Sequence, residues 1–287
     1  MKLPFILARR FVAAESLEGA LPVVKSLNGK GLSVALDLLG EYVSDRAVAT
    51  EALNNYVDLV HRIARDRLNE NLKTNISIKL SMLGQKIDRS FCVDNLHRLL
   101  EVARQDNVFV RLDMEGSDIT ESTISIFEEV RPTYPEHVGI VLQAYLKRTA
   151  EDVRRMCEMK ARVRLCKGAY QEPPEIAYQR MGEIRERFVE YMKMLIKEAP
   201  YPGIATHDDR LIDATKQFVA QEGIPSDRFE FQMLYGLRPE KQVKLRGEGY
   251  NMRVYVPYGT EWLPYFTRRL RERKENIWFV AKNLVRG

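Results

Sequence analysis

A short run of small and positively charged residues follows one predicted strand and could bind an anion. In RVRLCKGAYQEPPE (Arg162–Glu175), Arg162 and Arg164 lie on one face, because side chains alternate between the two faces of a strand. Lys167–Ala169 comes next. Small residues let backbone N–H groups approach an anion, and with a cation beside them they suit the binding of a phosphate or pyrophosphate. An ordinary turn between a strand and a helix has a similar composition, so both interpretations stay open.

Two residues of opposite charge, Lys79 and Asp113, end neighbouring predicted strands, and their side chains could therefore meet. The lysine could form a plain salt bridge, act as a Schiff-base nucleophile with a lowered pKa, or bind a carboxylate and accept a proton. The periodicity of the strands does not choose among these hypotheses.

The histidines and cysteines are too scattered for a metal centre. Thr206 and His207 end another predicted strand, where a lone histidine is more typical of a hydrogen-bonded structural residue than of a ligand or base. Because no second histidine or cysteine has ligand spacing, we expect no metal. An odd number of widely spaced cysteines favours a reducing cytoplasm over a disulfide framework. They are Cys92, Cys157 and Cys166.

The elements that must position these residues alternate regularly along the chain. Short β-rich runs are separated by amphipathic stretches in which apolar residues recur at intervals of three and four. The eight runs are Leu32–Leu38, Asn75–Ser81, Val108–Met114, Val138–Ala144, Ala161–Lys167, Gly203–Asp208, Arg228–Leu234 and Asn251–Pro257. They predict a (β/α)8 TIM-type barrel over residues 31–287, a single domain preceded by a helical lead-in at 1–30. A doubly wound sheet is the alternative, but it needs fewer strands and usually a glycine-rich first turn, and the sequence has no GxGxxG.

Period two gives each predicted strand an apolar face toward the helices and a polar face toward the barrel lumen. Buried unpaired charges cost on the order of several kcal/mol, so the lumenal residues must pair with one another or with a ligand. One group of lumenal residues comes early in the strands and predicts an ion-pair network near the floor of the barrel. In this network we expect Arg162 to pair with Glu230. Its members are Arg111, Arg162, Glu230 and Arg253. A second group falls at the C-terminal strand ends, where such barrels build active sites. It comprises Asp37, Lys79, Asp113, Gln143, Arg164, Gln232 and Tyr255.

The last predicted helix begins near Thr260, a possible N-cap, with Pro264 in its first turn. A helical wheel places Arg269 at the border of the buried stripe and Arg268 well away from it, which predicts a solvent-exposed Arg268. Two adjacent arginines are nevertheless well suited to binding a small carboxylate. The predicted buried stripe is Leu263, Phe266 and Leu270.

The composition describes a globular chain with a large core. Of 287 residues, 45% are hydrophobic, and the net charge is only +5, without any run of five or six like charges. Mixed charge favours a solvated surface, although a face for nucleic acid or an anionic membrane stays open. The apolar run before Arg9 and Arg10 is too short for the core of a signal peptide. We therefore expect a cytoplasmic protein that lies at most peripherally on the inner membrane.

Nine motifs, in one order and each near a predicted strand end or on the last helix, give the chain a resemblance to a known family. They are DLLGE (Asp37–Glu41), IKLSMLG (Ile78–Gly84), RLDME (Arg111–Glu115), LQAYL (Leu142–Leu146), RLCKGAY (Arg164–Tyr170), ATHD (Ala205–Asp208), FEFQMLYG (Phe229–Gly236), RVYVPYG (Arg253–Gly259) and RRLRE (Arg268–Glu272). The chain resembles the proline dehydrogenase family, flavin enzymes of the first step of proline catabolism, from Phe11 to Leu284.

The resemblance implies a distorted barrel that binds FAD at the strand ends, with the last helix over the mouth. It implies that Lys79, Arg268 and Arg269 bind the carboxylate of L-proline, with Asp113 holding Lys79, and that Glu41 pairs with Arg268 as a gate. The residues implied to line the proline ring are Ala169, Tyr170, Leu234 and Tyr255. Those implied to contact FAD are Met114, Gln143, Arg164, Lys167, Gly168, Ala169, Thr206, His207, Gln232 and Glu272.

The implied reaction passes a hydride from C5 of proline to N5 of the flavin and gives Δ1-pyrroline-5-carboxylate. Arg164 would lie beside N5 and stabilise the charge of the reduced flavin, with Lys79 and Asp113 as its catalytic companions. Electrons would leave to a quinone or another acceptor, and a separate pyrroline-5-carboxylate dehydrogenase would take the product.

Two features qualify the resemblance, and two other functions compete with it. The chain carries no aldehyde dehydrogenase module or DNA-binding arm, and Gln171 stands where many bifunctional members have Trp. An aldolase-type barrel would use Lys79 as a Schiff-base nucleophile. A basic scaffold that binds nucleic acid would need exposed aromatic residues among its cations, which the sequence does not show.

Overall fold

A closed barrel of parallel strands in chain order forms the centre of the molecule. The structure is a computed structural model that describes residues 5–68 and 73–272. Its strands are β1 (Ser33–Leu38), β2 (Thr74–Ile78), β3 (Val110–Leu112), β4 (Val138–Gln143), β5 (Arg162–Cys166), β6 (Gly203–Ala205), β7 (Glu230–Leu234) and β8 (Asn251–Tyr258). β8 pairs with β1 and closes the barrel. The predicted fold class is therefore confirmed.

Helices alternate with the strands and surround the barrel. They are α1 (Leu17–Gly29), α2 (Arg46–Arg65), α3 (Arg89–Gln105), α4 (Ser117–Val130), α5 (Thr149–Glu158), α6 (Met181–Glu198), α7 (Asp209–Gln221), α8 (Pro239–Gly247) and α9 (Trp262–Glu272). Several begin at a side chain that accepts the first free backbone N–H groups: Ser16 for α1, Asp45 for α2, Asp88 for α3 and Asp208 for α7. Such caps stabilise a helix by about 1 kcal/mol each and fix where it starts.

The main hydrophobic core lies between the outer face of the barrel and the helices. Ile76 and Ile78 of β2 are fully buried there, as are Tyr56 of α2 and Phe188 of α6. Each large apolar side chain buried in this layer contributes roughly 1.5–3 kcal/mol. The lumen is left to the polar faces of the strands, as period two predicts.

Two strands are much shorter than their sequence patterns indicate. β3 and β6 span three residues each, because the chain leaves the barrel soon after the last residue that is packed against the helices. Asp113 therefore follows β3 instead of lying within it. Lys79 likewise follows β2, which ends at Ile78. The backbone N–H of Asp113 still donates to the carbonyl of Ile78, at 2.8 Å, which keeps the two strand ends together.

The floor of the barrel contains the expected arginines, but one predicted pair is wrong. Glu230 accepts from Arg253 Nε at 2.7 Å, not from Arg162. Arg253 lies on β8, which pairs with β7, the strand of Glu230, whereas Arg162 begins β5, which is separated from β7 by β6. The Arg162 guanidinium instead lies over the ring of Phe109, with Glu136 at 3.9 Å.

The last helix is rotated relative to the helical wheel. α9 begins at Trp262, two residues after the predicted cap, and its buried side includes Trp262, Phe266 and Arg269. Leu263, predicted to be buried, is 46% exposed, and the side chain of Leu270 lies outside the described residues. The reason is that α9 packs on a separate apolar cluster at the barrel mouth. That cluster consists of Ala8, Phe11, Val12, Leu39, Leu237, Trp262, Tyr265 and Phe266.

Within the described ranges, no helix is long and apolar enough to span a membrane. Cys92, Cys157 and Cys166 are free thiols, and burial raises the pKa of each. Because the thiolate is the reactive form, these cysteines are poor nucleophiles.

Candidate active site

The C-terminal ends of the strands bring together the polar residues that the sequence had placed there. At the barrel mouth Asp37 pairs with Lys79, and Asp113 contacts both Arg164 and Tyr255. All of these side chains except that of Tyr255 are buried. Parallel strands converge at this end, so residues far apart in the chain become neighbours.

Lys79 is paired with Asp37, which corrects the prediction that Asp113 holds it. Its ammonium group lies 2.7 Å from Asp37 Oδ1. Burial lowers the pKa of Lys79, but the charges of Asp37 and Asp113 raise it more, so the net shift is upward. Lys79 follows β2, between β1 and β3, and could reach either aspartate. It pairs with Asp37 because both oxygens of Asp113 have other donors.

Asp113 orients a guanidinium and a phenol. Its Oδ1 accepts from Arg164 Nη1 and its Oδ2 from the Tyr255 hydroxyl, both at 2.7 Å. Arg164 also donates through Nη2 to Ser77 Oγ at 2.9 Å and through Nε to Gln232 Oε1 at 2.5 Å. A guanidinium with three acceptors around it has one fixed position, which is what an electrostatic catalytic group requires.

A cavity of about 400 Å³ opens beside this network, between the loop after β1 and helix α9. Its lining includes Glu41, Lys79, Met82, Tyr265 and Arg268. Two cations thus reach one cavity from different elements, Lys79 from the end of β2 and Arg268 from α9. Converging positive charges in a half-open cavity suit a small anionic ligand.

Arg268 is not the solvent-exposed residue that the helical wheel predicts. It forms an ion pair with Glu41, and only 26% of its side chain is exposed. Its guanidinium carbon also lies 5.9 Å from the ring centroid of Tyr170. Arg269 is buried, with its guanidinium carbon 5.2 Å from the ring centroid of Tyr265. The prediction failed because α9 crosses the barrel mouth, so both of its sides meet protein.

The loop after β5 has the geometry of a close backbone approach. Gly168 has φ +124°, and a Cβ built there would lie 2.2 Å from the ring of Tyr145. Lys167 Nζ lies 3.3 Å from Asp208 Oδ2, which also accepts from Arg185 Nε at 2.7 Å. Only glycine fits at this point, and the loop is therefore more constrained than an ordinary turn.

The side chains of Thr206 and His207 both accept hydrogen bonds from nearby backbone N–H groups. Thr206 Oγ1 accepts from the N–H of Asp208 at 3.1 Å, and His207 Nε2 accepts from the N–H of Leu234 at 3.0 Å. A ring nitrogen that accepts a hydrogen bond from an amide is unprotonated, so this geometry fixes a neutral imidazole. Among the described residues, no cluster of three His, Cys, Asp or Glu could ligate a metal.

The sequence matches the family model of proline dehydrogenases over residues 20–282. The chain belongs to the proline dehydrogenase family. It is 42% identical to proline dehydrogenase 1 of Bacillus subtilis (strain 168), over 97% of this chain and 91% of that protein. Identity to the proline dehydrogenase of Deinococcus radiodurans is 38%, over 98% of this chain and 91% of that one.

Among solved structures, the chain is similar to proline utilization A from Bdellovibrio bacteriovorus, which was inactivated by N-propargylglycine. The TM-score is 0.86 at 29% identity, over 93% of this chain and 32% of that chain. This chain therefore spans about a third of that longer protein. Membership of the proline dehydrogenase family makes it an oxidoreductase that acts on proline and passes the electrons to an acceptor.

The remaining predicted residues of a proline dehydrogenase site lie around the same mouth. Gln143 Nε2 donates to the carbonyl of Glu115 at 2.9 Å, and Met114 is buried. Leu234 is half-buried, whereas Ala169 is exposed. Glu272 ends α9, and its side chain lies outside the described residues.

Sequence reasoning missed two supports of this candidate site. The backbone N–H of Tyr42, next to Glu41, donates to Ser81 Oγ at 3.0 Å, and Ser81 Oγ donates to Glu115 Oε1 at 2.6 Å. Glu172 accepts from both the N–H and the hydroxyl of Ser117, at the start of α4. Glu115 lies within a recognised motif, but nothing in the sequence shows that it fixes the loop after β1.

Proposed function

We propose that the chain catalyses the FAD-dependent oxidation of L-proline to Δ1-pyrroline-5-carboxylate at the barrel mouth. The observation that carries the proposal is the convergence of Lys79 and Arg268 on one cavity beside the Arg164–Asp113–Tyr255 network. Family membership supplies the reaction, and the two cations in this cavity suit the carboxylate of the amino acid.

The proline carboxylate binds to Lys79, Arg268 and Arg269. Lys79 is suited to this role because its pKa is raised and its ammonium group is already fixed by Asp37. Arg268 pairs with Glu41, so α9 can close over a bound substrate against the loop after β1. Binding through several cations orients the substrate as well as retaining it, and orientation lowers the barrier to reaction.

The pyrrolidine ring packs against Tyr170, Leu234 and Tyr255, with Ala169 at its edge. The Tyr255 hydroxyl donates to Asp113, which fixes the plane of its ring. Tyr170 lies below Arg268, so the same substrate can contact the cation through its carboxylate and the aromatic ring through its carbons. Small changes at Tyr255 or Ala169 should therefore alter discrimination against ring-substituted prolines.

FAD is the cofactor that the surrounding residues fit. The constrained Gly168, the cation of Lys167 and the fixed guanidinium of Arg164 offer backbone donors and positive charge to a phosphate-bearing, electron-accepting group. When bound, FAD would supply the hydride acceptor for the oxidation of proline at C5. The residues proposed to hold it are Met114, Gln143, Arg164, Lys167, Gly168, Ala169, Thr206, His207, Gln232 and Glu272.

Arg164 and Asp113 act through charge and position. Arg164 provides a fixed positive charge where negative charge develops during the oxidation, and Asp113 holds that charge in place. Asp113 also fixes Tyr255, so one carboxylate orients both the catalytic cation and a wall of the substrate pocket.

The substrate amine must lose a proton, and this predicts the pH dependence of the rate. The neutral amine is the form that can be oxidised, so kcat/KM for proline should rise with pH on the acid side. The measurement is kcat/KM with an artificial electron acceptor at fixed ionic strength. A rate independent of pH between about 6 and 9 would contradict this requirement.

The natural acceptor is proposed to be a quinone, reached by peripheral contact with the inner membrane, and a separate pyrroline-5-carboxylate dehydrogenase is proposed to remove the product. Nucleic acid has no role in this function. A soluble quinone analogue should support turnover with proline, and detergent-solubilised quinone should do so more efficiently than a hydrophilic dye.

The aldolase-type alternative is disfavoured by the state of Lys79. A Schiff-base lysine needs a lowered pKa, so that the neutral amine can attack a carbonyl. The pKa of Lys79 is raised instead, and its nitrogen is engaged by Asp37.

A spectroscopic experiment tests the proposal directly. The purified protein should be yellow with an oxidised-flavin spectrum, and the absorbance should bleach anaerobically when L-proline is added but not when D-proline is added. A colourless protein that stays colourless with added FAD would overturn the proposed function, and so would a yellow protein that L-proline does not bleach.

A further inference from the structure

A second cavity, of about 270 Å³, lies at the floor of the barrel, at the opposite end from the proposed proline site. Among the described residues, its wall contains the side chains of Arg111, Arg162 and Arg253, but only one acid, Glu230. Glu136 lies 3.9 Å from Arg162, but it is 74% exposed and screened by solvent. The wall of this floor cavity therefore carries two more positive than negative charges.

Arg111 is the residue that most needs an anion. It is 3% exposed, and its Nη1 donates to the carbonyls of Ile140 and Arg162, at 3.2 and 2.5 Å. Its buried Nε has no acceptor among the described residues. Burial and the charge of Arg164 lower the pKa of Arg111, yet a guanidinium keeps its charge in proteins. A buried cation with only neutral acceptors is costly unless an anion compensates it.

The floor cavity is shaped around these guanidinium groups. A Cβ at Gly139 would lie 2.6 Å from Arg111 Nη1, so only glycine leaves room for the arginine. The ring of Phe109 lies beside both Arg111 and Arg162, with its centroid 4.8 and 5.3 Å from their guanidinium carbons. Stacking on an aromatic ring fixes the planes of the donors without using their N–H groups.

The floor cavity also offers an unfilled acceptor. Asn75 is 5% exposed, and its Oδ1 has no donor among the described residues. Arg111 and Asn75, the residues that carry this unfilled donor and this unfilled acceptor, both line the floor cavity. A small oxyanion that carries both charge and an O–H group matches this combination, whereas a fully deprotonated anion matches only the donor.

We propose that the floor cavity of the barrel is a binding site for a small protonated oxyanion, of which hydrogen phosphate is the simplest. The anion lies between Arg111, Arg162 and Arg253 and donates its O–H to Asn75. This site is separate from the mouth of the barrel, and its ligand stabilises the fold by compensating the charge of the floor.

Thermal unfolding of the FAD-loaded protein tests the proposal, because bound FAD keeps phosphate out of the cofactor site. Inorganic phosphate should raise Tm more than sodium chloride or sulfate does at equal ionic strength, and titration calorimetry should give saturable binding. A response to phosphate no larger than that to chloride, or equal to that to sulfate, would overturn the proposal. A stronger response to glycerol phosphate than to inorganic phosphate would identify the physiological ligand as a phosphate ester.

Two variants locate the site. Arg162→Gln should weaken phosphate binding by about tenfold or more, whereas Arg154→Gln, on the exposed side of α5, should leave it unchanged. Asn75→Asp keeps the shape of the side chain but adds the compensating charge, so it should raise Tm in phosphate-free buffer and abolish the phosphate response. Unchanged phosphate affinity in Arg162→Gln, or a retained response in Asn75→Asp, would refute the assignment.

Discussion

At the scale of single residues, the two aspartates at the barrel mouth have different partners. Asp37 contacts Lys79, which is proposed to bind the carboxylate, whereas Asp113 contacts Arg164 and Tyr255, which are proposed to act near the reacting atoms. The two carboxylates therefore support different parts of the reaction, binding in one case and the chemical step in the other.

This division predicts different kinetic effects of two otherwise similar substitutions. Asp37→Asn should raise KM for proline by about tenfold with a small change in kcat, because it loosens an interaction made equally in the ground and transition states. Asp113→Asn should lower kcat by about tenfold or more, because Arg164 loses the partner that fixes its charge. Steady-state kinetics with an artificial acceptor gives both numbers. Equal effects of the two variants on kcat and KM would contradict the division.

At the scale of elements, the cavity is closed by a pair that joins two segments far apart in the chain. Glu41 lies after β1 and Arg268 lies on α9, and the loop that carries Glu41 is itself fixed through Ser81 and Glu115. A gate of this kind needs one rigid side and one side that can move. The hydrogen bonds through Ser81 make the loop after β1 the rigid side.

Breaking the pair should therefore speed the release of ligands. Glu41→Gln removes the charge but keeps the size of the side chain, so KM for proline should rise several-fold with little loss of kcat. Stopped-flow measurement of proline-dependent bleaching at several proline concentrations separates binding from the chemical step. Glu261→Gln is the matched control, since Glu261 lines the same cavity and is exposed. An identical KM for the wild-type protein and Glu41→Gln would rule out the gate.

The loop after β5 depends on a second contact between elements. Glu172 accepts two hydrogen bonds from Ser117, the first residue of α4. The N-cap residue of this helix is Gly116, which has no side chain to cap it. One carboxylate thus caps a helix and ties down the loop that carries Tyr170.

Glu172→Ala should affect stability and substrate binding together. The lost cap should cost about 1 kcal/mol, and the loosened loop should raise KM for proline more than it lowers kcat. Thermal unfolding and steady-state kinetics on the same preparation test both effects. Glu175→Ala, an exposed acid in the same loop, serves as the control and should change neither quantity. A Tm loss in Glu172→Ala without any change in KM would show that the contact supports α4 alone.

At the scale of the whole molecule, the sequence predicted the architecture, and which polar residues gather at the barrel mouth, better than it predicted the contacts between those residues. Eight strand–helix units fix a barrel, and strand period fixes which residues face the lumen, because both follow from local patterns. The partner of Lys79 did not follow, since Asp37 and Asp113 flank β2 equally. The orientation of α9 also did not follow, because it depends on the apolar cluster at the mouth.

The floor of the barrel shows how such a polar lumen is kept stable. The Glu230 carboxylate accepts from Arg253 Nε at 2.7 Å and from Gln232 Nε2 at 2.6 Å, and Gln232 in turn accepts from Arg164. Floor and mouth are thus joined by one chain of hydrogen bonds through the lumen. Burial raises the pKa of Glu230, but Arg253, Arg111 and Gln232 together lower it more, so the net shift is downward.

Removing the charge of Glu230 should therefore destabilise the fold in a pH-dependent way. Glu230→Gln leaves buried arginines without their acid and should cost about 3–5 kcal/mol at neutral pH. A carboxyl whose folded pKa lies below its unfolded value stabilises the fold above that unfolded value, and this contribution is lost as pH falls through the folded pKa. The difference in urea midpoint between wild type and Glu230→Gln should thus be largest at neutral pH and should shrink below about pH 4.5, the ordinary pKa of glutamate. Glu136→Gln, which removes an exposed acid at the rim of the same floor, should change the midpoint little at any pH. A difference that stayed constant from neutral pH down to the acid transition would show that the carboxylate charge of Glu230 does not stabilise the barrel.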